Sequence, residues 1–571
     1  MLLAVFLAMA FIVSVVIWYM PILFKGYPSE ITQSAQTDLI ILGRNFAQTG
    51  VLGTENKLNV VLSPQDVASQ AVPSSIGNKF TAYSYSVIFK LFGWQSWENI
   101  ILITILLYAL GAVFFTLTVW HLFGLRAAMI FPLVYALLPF NGQAAQTPGF
   151  YEFALLYFAI FTFFYFVGRD RKYKIFYFIL AGIFLALSCM SREAMFVFLP
   201  IFFFWLLYQR KRKELLAIFI PVGLLLTIFW LPSFFGIGSS NDYLKLFASG
   251  NKNDFQWSFF VEAIGNIDPY TLHFDQGSVA QRLEQLKKDL SDKNSSFFYK
   301  TGEGLKLAKG LGFKQFNIFD YFVAGTNNLA AHLSKFLAIE YIGGPIIFLL
   351  MLFGFWQLKR QKKELYYFFV VWLGATVLIL SYALLVIRNH LMDFGWAVAA
   401  LAALGLAGFF PLLQNYFQAG RYSKFIFFCV VSLVLYSLVL ADHVYLGRGY
   451  DNNANPAIKY LAQKVNEKSA NIAGGDVIAV GDIKLHPFLN YLTGKSVVFF
   501  LPSTIDKLIK EQKLQEGFDR FDVKYVVGFS QDLSDSITKN SDAINIAVWP
   551  KTDELAGQVS YNKMWLLNII K

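Results

Sequence analysis

Residues 98–120 read ENIILITILLYALGAVFFTLTVW, and their only charged residue is Glu98 at the first position. A helix rises about 1.5 Å per residue, so this run covers roughly the ~30 Å hydrocarbon core of a bilayer. It has no polar face to turn toward water, which an ordinary surface helix of a soluble domain would need. The stretch therefore predicts a membrane span. Runs of the same character lie near 3–23, 125–140, 150–168, 175–191, 194–208, 215–236, 337–356, 365–387, 391–413 and 424–442. Together they predict a polytopic α-helical membrane protein with about eleven transmembrane helices. Bulk composition agrees. Of 571 residues, 56% are hydrophobic and 18% aromatic, while 15% are charged, against about 25% charged in soluble domains. The apolar stretch 2–24 has no small-x-small cleavage site after it and reads as an uncleaved first span.

The formal charge is +11. Nucleic acid is excluded as a partner, because the basic residues sit in short clusters between apolar runs instead of forming one stripe. RDRKYK at 169–174, QRKRKE at 209–214 and QLKRQKKE at 357–364 fall on one side, and such clusters orient a chain with those loops in the cytoplasm. Arg421 and Lys424 join them, whereas Lys25 on the outer end of the first span runs against the bias. Outside the membrane this leaves segments 24–97 and 237–336 as outer loops and 443–571 as an extracytoplasmic domain, the transmembrane part being 1–442. The tail has a helix-like stretch from Ala457 to Lys468. Short β-branched runs follow at Val477–Val480, Val497–Phe500, Val523–Gly528 and Ile544–Trp549. That alternation predicts a small soluble α/β domain. The two cysteines, Cys189 and Cys429, lie inside apolar runs and make no disulfide framework or metal site.

Chemistry is expected on the outer face, where the large loops are. In SAQTDLIILGRNFAQT (34–49), Ala35, Leu39, Leu42 and Phe46 recur at helical spacing and predict an amphipathic helix in the interface plane. Asp38 beside that stripe would sit near headgroup level, where loss of hydration suits a general base. A solvated polar face explains the same acid. Glu30 is a secondary candidate. Lys79 stands in the segment Gly77–Asn78–Lys79–Phe80 ahead of the second span, and Glu152 at the outer entrance of the span near 150, where an acid also serves as a plain interface residue. Arg192–Glu193 occupies a short outer turn, and Arg388–Asn389–His390 ends a late span. Outer arginines run against the charge bias, and a lipid-linked phosphate would account for them. Snorkelling or ion pairing accounts for them too. His273, His332, His443 and His486 are dispersed without metal-ligand spacing, and Gly302–x–Gly304 and Gly310–Leu311–Gly312 lack a phosphate-loop context.

Taken together, five features resemble the GT-C membrane glycosyltransferases of the protein O-mannosyltransferase and aminoarabinose transferase superfamily. They are the acid on an early outer helix, the small-Asn-Lys-Phe segment running to Phe92–Gly93, Glu152 after the third span, the Ser191–Arg192–Glu193–Ala194 turn and the Arg388–Asn389–His390 triplet. The resemblance covers roughly residues 1–440. It implies a sugar donor on a polyprenyl phosphate, a lipid, glycan or protein acceptor, a site facing the periplasm or exterior of a bacterial inner membrane, and inversion at the anomeric carbon. Asp38 carries over as the base, Glu152 as a second site acid, and Arg388 as a phosphate contact with Arg192 and Lys79 beside it. Glu30, Glu193 and His390 are secondary. No cofactor is implied with certainty, and a divalent metal is left open. Asp38 is followed by Leu39 where the mannosyltransferases have an Asp-Glu pair, which leaves sugar, acceptor and base open. The rival readings are a transporter or flippase of a lipid-linked glycan and a non-catalytic scaffold of the same fold.

Overall fold

The computed structural model describes residues 2–25, 39–41, 43–44, 46–47, 58–61, 72–73, 79–93, 95–149, 151–229, 326, 329–330, 333, 342, 344–382, 395–416 and 421–449. In the tail it describes 460, 462–467, 477–481, 489, 493, 495–500, 502–527, 531–549 and 564–569. The described chain is mostly helical. In order come α1 (Leu2–Lys25), β1 (Leu58–Val61), β2 (Val72–Pro73), α2 (Lys79–Phe92), α3 (Trp97–Phe123), α4 (Leu125–Leu137), α5 (Pro139–Gln146), α6 (Glu152–Gly168) and α7 (Lys174–Ser191). A 3-10 turn (Glu193–Val197) leads to α8 (Phe198–Tyr208) and α9 (Arg212–Phe229). Then follow α10 (Pro345–Gln361), α11 (Lys363–Tyr382), α12 (Gly395–Tyr416) and α13 (Arg421–Gly449).

Four of these are long and apolar enough to cross a membrane: Leu3–Met20, Glu98–Phe123, Lys174–Ser191 and Gly395–Asn415. Apolar helices Leu125–Leu137, Glu152–Gly168, Met195–Tyr208 and Lys424–Ser437 are shorter. One reason is visible at Pro139. Leu138 takes an extended backbone (φ −66°, ψ 125°) before it, as the residue preceding a proline does, and the run expected over 125–140 breaks into α4 and α5. The chain is an integral membrane protein. Its helices pack around a ladder of rings in which Phe115 stacks on Trp396 at 5.2 Å and Trp372 meets Trp396 at 5.5 Å. The α10–α12 crossing depends on Gly354 and Gly405: a Cβ on either would run into the opposing backbone carbonyl of Leu401 or Leu350. Small residues of this kind let membrane helices approach closely.

Every β-branched run marked in the tail is a strand. β3 (Val477–Val480), β4 (Ser496–Phe500), β5 (Val523–Val527), β6 (Ala543–Trp549) and β7 (Met564–Ile569) are interleaved with α14 (Pro502–Lys510), α15 (Leu514–Arg520) and α16 (Gln531–Asn540). The sheet has the order β2-β1-β4-β3-β5-β7-β6. Its centre is parallel and is buried on both faces, as parallel strands usually are. Val477 and Ala479 face a cluster with Ile505, Leu508, Phe518 and Ile537, while Ile478 and Val480 belong to the apolar cluster that continues into the helical bundle. Two strands come from the segment between α1 and α2: Leu58–Val61 pairs in parallel with Val497–Phe500, and Asn59 pairs antiparallel with Pro73. That segment and the tail share one sheet.

Candidate active site

The helix expected to lie in the interface is packed against α2. Leu39, Ile40 and Ile41 are all buried, and so is Arg44 at 5% exposure. Three successive buried residues leave no polar face for water, so the amphipathic reading does not hold for them. Gly43 makes the contact possible, since a Cβ there would sit 2.6 Å from the Ala82 carbonyl oxygen and from Tyr85 Cβ. Phe46 meets Tyr83 edge to face at 4.9 Å.

Beneath α2 lies Glu152, the first residue of α6, at 0% exposure. It is an interior carboxylate and does not sit at the interface as a surface residue. The Tyr85 hydroxyl donates to its Oε1 at 2.6 Å, and the Gly149 N–H donates to the same oxygen at 2.9 Å and to Tyr85 Oη at 3.1 Å. Burial first, and then the Glu152 charge and hydrogen bond, hold the Tyr85 hydroxyl proton well above the ordinary phenol range. Tyr85 is therefore a permanent donor. A buried carboxylate supplied with such donors is far less costly than a bare one.

The same corner holds Arg192. Its guanidinium lies 4.9 Å from the ring centroid of Tyr151, the residue before Glu152, an attractive cation–π geometry. Thr81 on the first turn of α2 donates to the Ser191 carbonyl at 2.9 Å, tying α2 to the turn that carries Arg192. Ser188 donates to the Ala154 carbonyl at 2.8 Å and clamps α7 to α6. Lys79 opens α2 and Glu193 opens the 3-10 turn. The structure thus brings the backbones of Lys79, Glu152, Arg192 and Glu193 to one end of the bundle. That end is opposite RDRKYK, because α6 and α7 run between the two. Asp38, Glu30, Arg388 and His390 lie outside the described residues. Sequence reasoning passed over Tyr85 and Arg44. Tyr85 was one aromatic residue in an aromatic stretch, and its partner is 67 positions away.

Among the described residues no three His, Cys, Asp or Glu side chains come together. The groups on Glu152 Oε1 are a hydroxyl and an amide N–H, which suit an anion and do not leave that oxygen open to a cation.

The chain's fold matches solved structures of low sequence similarity. An oligosaccharyltransferase of Archaeoglobus fulgidus, solved in complex with Zn and sulfate, aligns with a TM-score of 0.53 at 15% identity, over 91% of this chain and 67% of that one. The same enzyme tethered to an acceptor peptide containing the NVT sequon aligns with a TM-score of 0.53 at 14% identity, over 92% and 68%. Apo ArnT from Cupriavidus metallidurans aligns over 99% of this chain and 97% of its own, with a TM-score of 0.50 and 12% identity. The chain thus shares the fold of these two membrane enzymes. Residues 80–234 match the family model described as dolichyl-phosphate-mannose-protein mannosyltransferase. That segment runs from the first turn of α2 to just past α9 and contains Tyr85, Glu152 and Arg192. No curated protein sequence matches the chain.

Proposed function

We propose that this protein transfers a sugar from a polyprenyl-phosphate donor to a lipid, glycan or protein acceptor, with inversion, at the membrane face opposite its basic loops. The observation that carries this reading is the convergence of α2, the Arg192 turn and Glu152 at one end of a GT-C fold. It is supported by the match of that same segment to a family named for a dolichyl-phosphate-linked sugar.

A phosphate is already a good leaving group, so the reaction needs little acid assistance. It needs a base for the acceptor hydroxyl on the face opposite the phosphate, and cations for the charge that develops there. Asp38 is the base, and Arg388, Arg192 and Lys79 are the cations. Glu30, Glu193 and His390 stand in reserve for these roles. Glu152 is the second site acid. It acts by anchoring the 147–149 turn through Gly149 and α2 through Tyr85, next to Tyr151 on which Arg192 rests. In this account all eleven apolar runs are spans, 1–442 is the transferase proper, 443–571 is an extracytoplasmic α/β domain, and the membrane is a bacterial plasma membrane.

The test is direct. Purified full-length protein, given a panel of undecaprenyl-phosphate-linked hexoses and pentoses together with membrane extract as acceptor, should release undecaprenyl phosphate from at least one donor. Binding of every donor without release would favour the transporter reading. No binding of any donor would favour the scaffold.

A further inference from the structure

At the basic end of the bundle, α8 and α11 run antiparallel and leave a groove of about 530 Å³ between them. Its walls are two stripes with a four-residue repeat. Pro200, Phe204 and Tyr208 line one side, and Tyr367, Val371, Ala375 and Ile379 the other. Phe204, Tyr208 and Tyr367 are exposed, and the lining is almost wholly apolar. Spacing from Tyr367 to Ile379 gives a depth of about 18 Å at ~1.5 Å per residue. That is little more than half of the ~30 Å hydrocarbon core. A partner helix would need a seam along the whole core, whereas a groove one leaflet deep suits a single lipid chain.

The mouth of the groove is charged. Lys363 is exposed, lies 6.0 Å above the ring of Tyr367, and also lines an adjoining pocket of about 370 Å³. In that pocket Arg169 meets Glu364 at 2.9 Å, and Lys211 meets the same carboxylate oxygen at 2.5 Å. Counting Asp170, which lines the same pocket, two carboxylates face four cations (Arg169, Lys211, Lys362 and Lys363), so positive charge is left over. Arg210, also exposed, sits in the left-handed region (φ 55°) where it closes α8. Tyr208 and Tyr367 stand at the same level, as aromatic residues do at a membrane interface.

We infer that this groove binds one anionic glycerophospholipid of the leaflet on the basic side, an acyl chain lying along α8 and α11 and the phosphate resting on Lys363 and Arg210. The warrant is charge complementarity combined with a depth of one leaflet. Basic pockets between transmembrane helices on the cytoplasmic side recognise anionic headgroups in this way, each cation near the surface adding about 1 kcal/mol.

Native mass spectrometry of the full chain decides the matter, with phosphatidylglycerol, phosphatidylethanolamine and undecaprenyl phosphate as probes. Phosphatidylglycerol should be retained preferentially. Lys363→Ala should weaken it about fivefold, Lys363→Arg should restore it, and Val371→Trp should fill the groove and abolish retention of the lipid. Circular dichroism and gel filtration confirm that the variants are folded. Equal retention of phosphatidylglycerol and phosphatidylethanolamine would overturn the inference. So would retention of undecaprenyl phosphate alone, indifference to both Lys363→Ala and Val371→Trp, or a co-purifying protein displaced by Val371→Trp.

Discussion

Helix α6 carries a carboxylate cluster at each end, and the two are built on opposite principles. At its start Glu152 is fully buried, and its Oε1 is met by two neutral donors, a tyrosine hydroxyl and an amide N–H. At its far end Arg169 joins Lys211 on Glu364, whose side chain is 42% exposed. The first arrangement places a carboxyl group where water cannot reach and spends a helix start, a glycine turn and a tyrosine on it. The second is an ion triad in contact with water that ties the 169–174, 209–214 and 357–364 loops together. Buried polar networks are costly to disturb because each orphaned group loses its full solvation. Exposed ion pairs are cheap to lose. The expensive cluster lies where the catalytic machinery is proposed and the cheap one where the loops are short.

Breaking the buried cluster should show the contrast most strongly. Glu152→Ala takes the carboxylate acceptor from the Tyr85 hydroxyl and leaves the Gly149 N–H with only its longer contact to Tyr85 Oη. The expected loss is about 2–5 kcal/mol, roughly 1–3 kcal/mol for the buried hydroxyl left without its acceptor and the rest for the weakened amide bond and the cavity the side chain leaves, read as a fall in the thermal unfolding midpoint of the purified protein. Tyr85→Phe removes one donor and leaves the carboxylate in place, so its cost should be about 1–3 kcal/mol. Its effect should also be non-additive with Glu152→Ala in a double-mutant cycle. An additive cycle would mean that the two side chains act independently and that the cluster is not a unit.

Much of this architecture was legible from sequence and some was not. Where the apolar runs fall on described residues they are mainly helical, the form in which a backbone satisfies its own hydrogen bonds inside a bilayer. The tail strands were visible in their β-branched runs. Leu58–Val61 was not, because four residues carry almost no pattern and their partner, Val497–Phe500, is more than four hundred positions away. Burial of Leu39, Ile40 and Ile41 was missed for a related reason. Helical spacing marked a stripe, but coverage of the remaining face comes from α2, which only the fold supplies. Glu152 was found as an acid at a span entrance, yet nothing local in the chain announces that Tyr85 will point at it.

Glu364→Gln should be the mildest stability change, about 0–1 kcal/mol, and should shrink further in high salt. Its pH dependence has a definite sign. Partial burial raises the Glu364 carboxyl, but hydrogen bonds and charge from Lys211 and Arg169 outweigh this and hold it below the ordinary 4.5. The triad's contribution is therefore complete above about pH 4.5 and is lost as pH falls through the lowered value. Wild type should lose this increment in an acid titration, and Glu364→Gln should lack it.

The central claim is that the end of the bundle bearing Glu152 and Arg192 transfers sugars, with Asp38 as the base. Steady-state turnover of a polyprenyl-phosphate sugar by Asp38→Asn, compared with wild type, measures it most directly. The account predicts a fall in kcat of about 10²–10⁴-fold with donor affinity nearly unchanged. Turnover within a few-fold of wild type would contradict it and remove Asp38 from the chemistry.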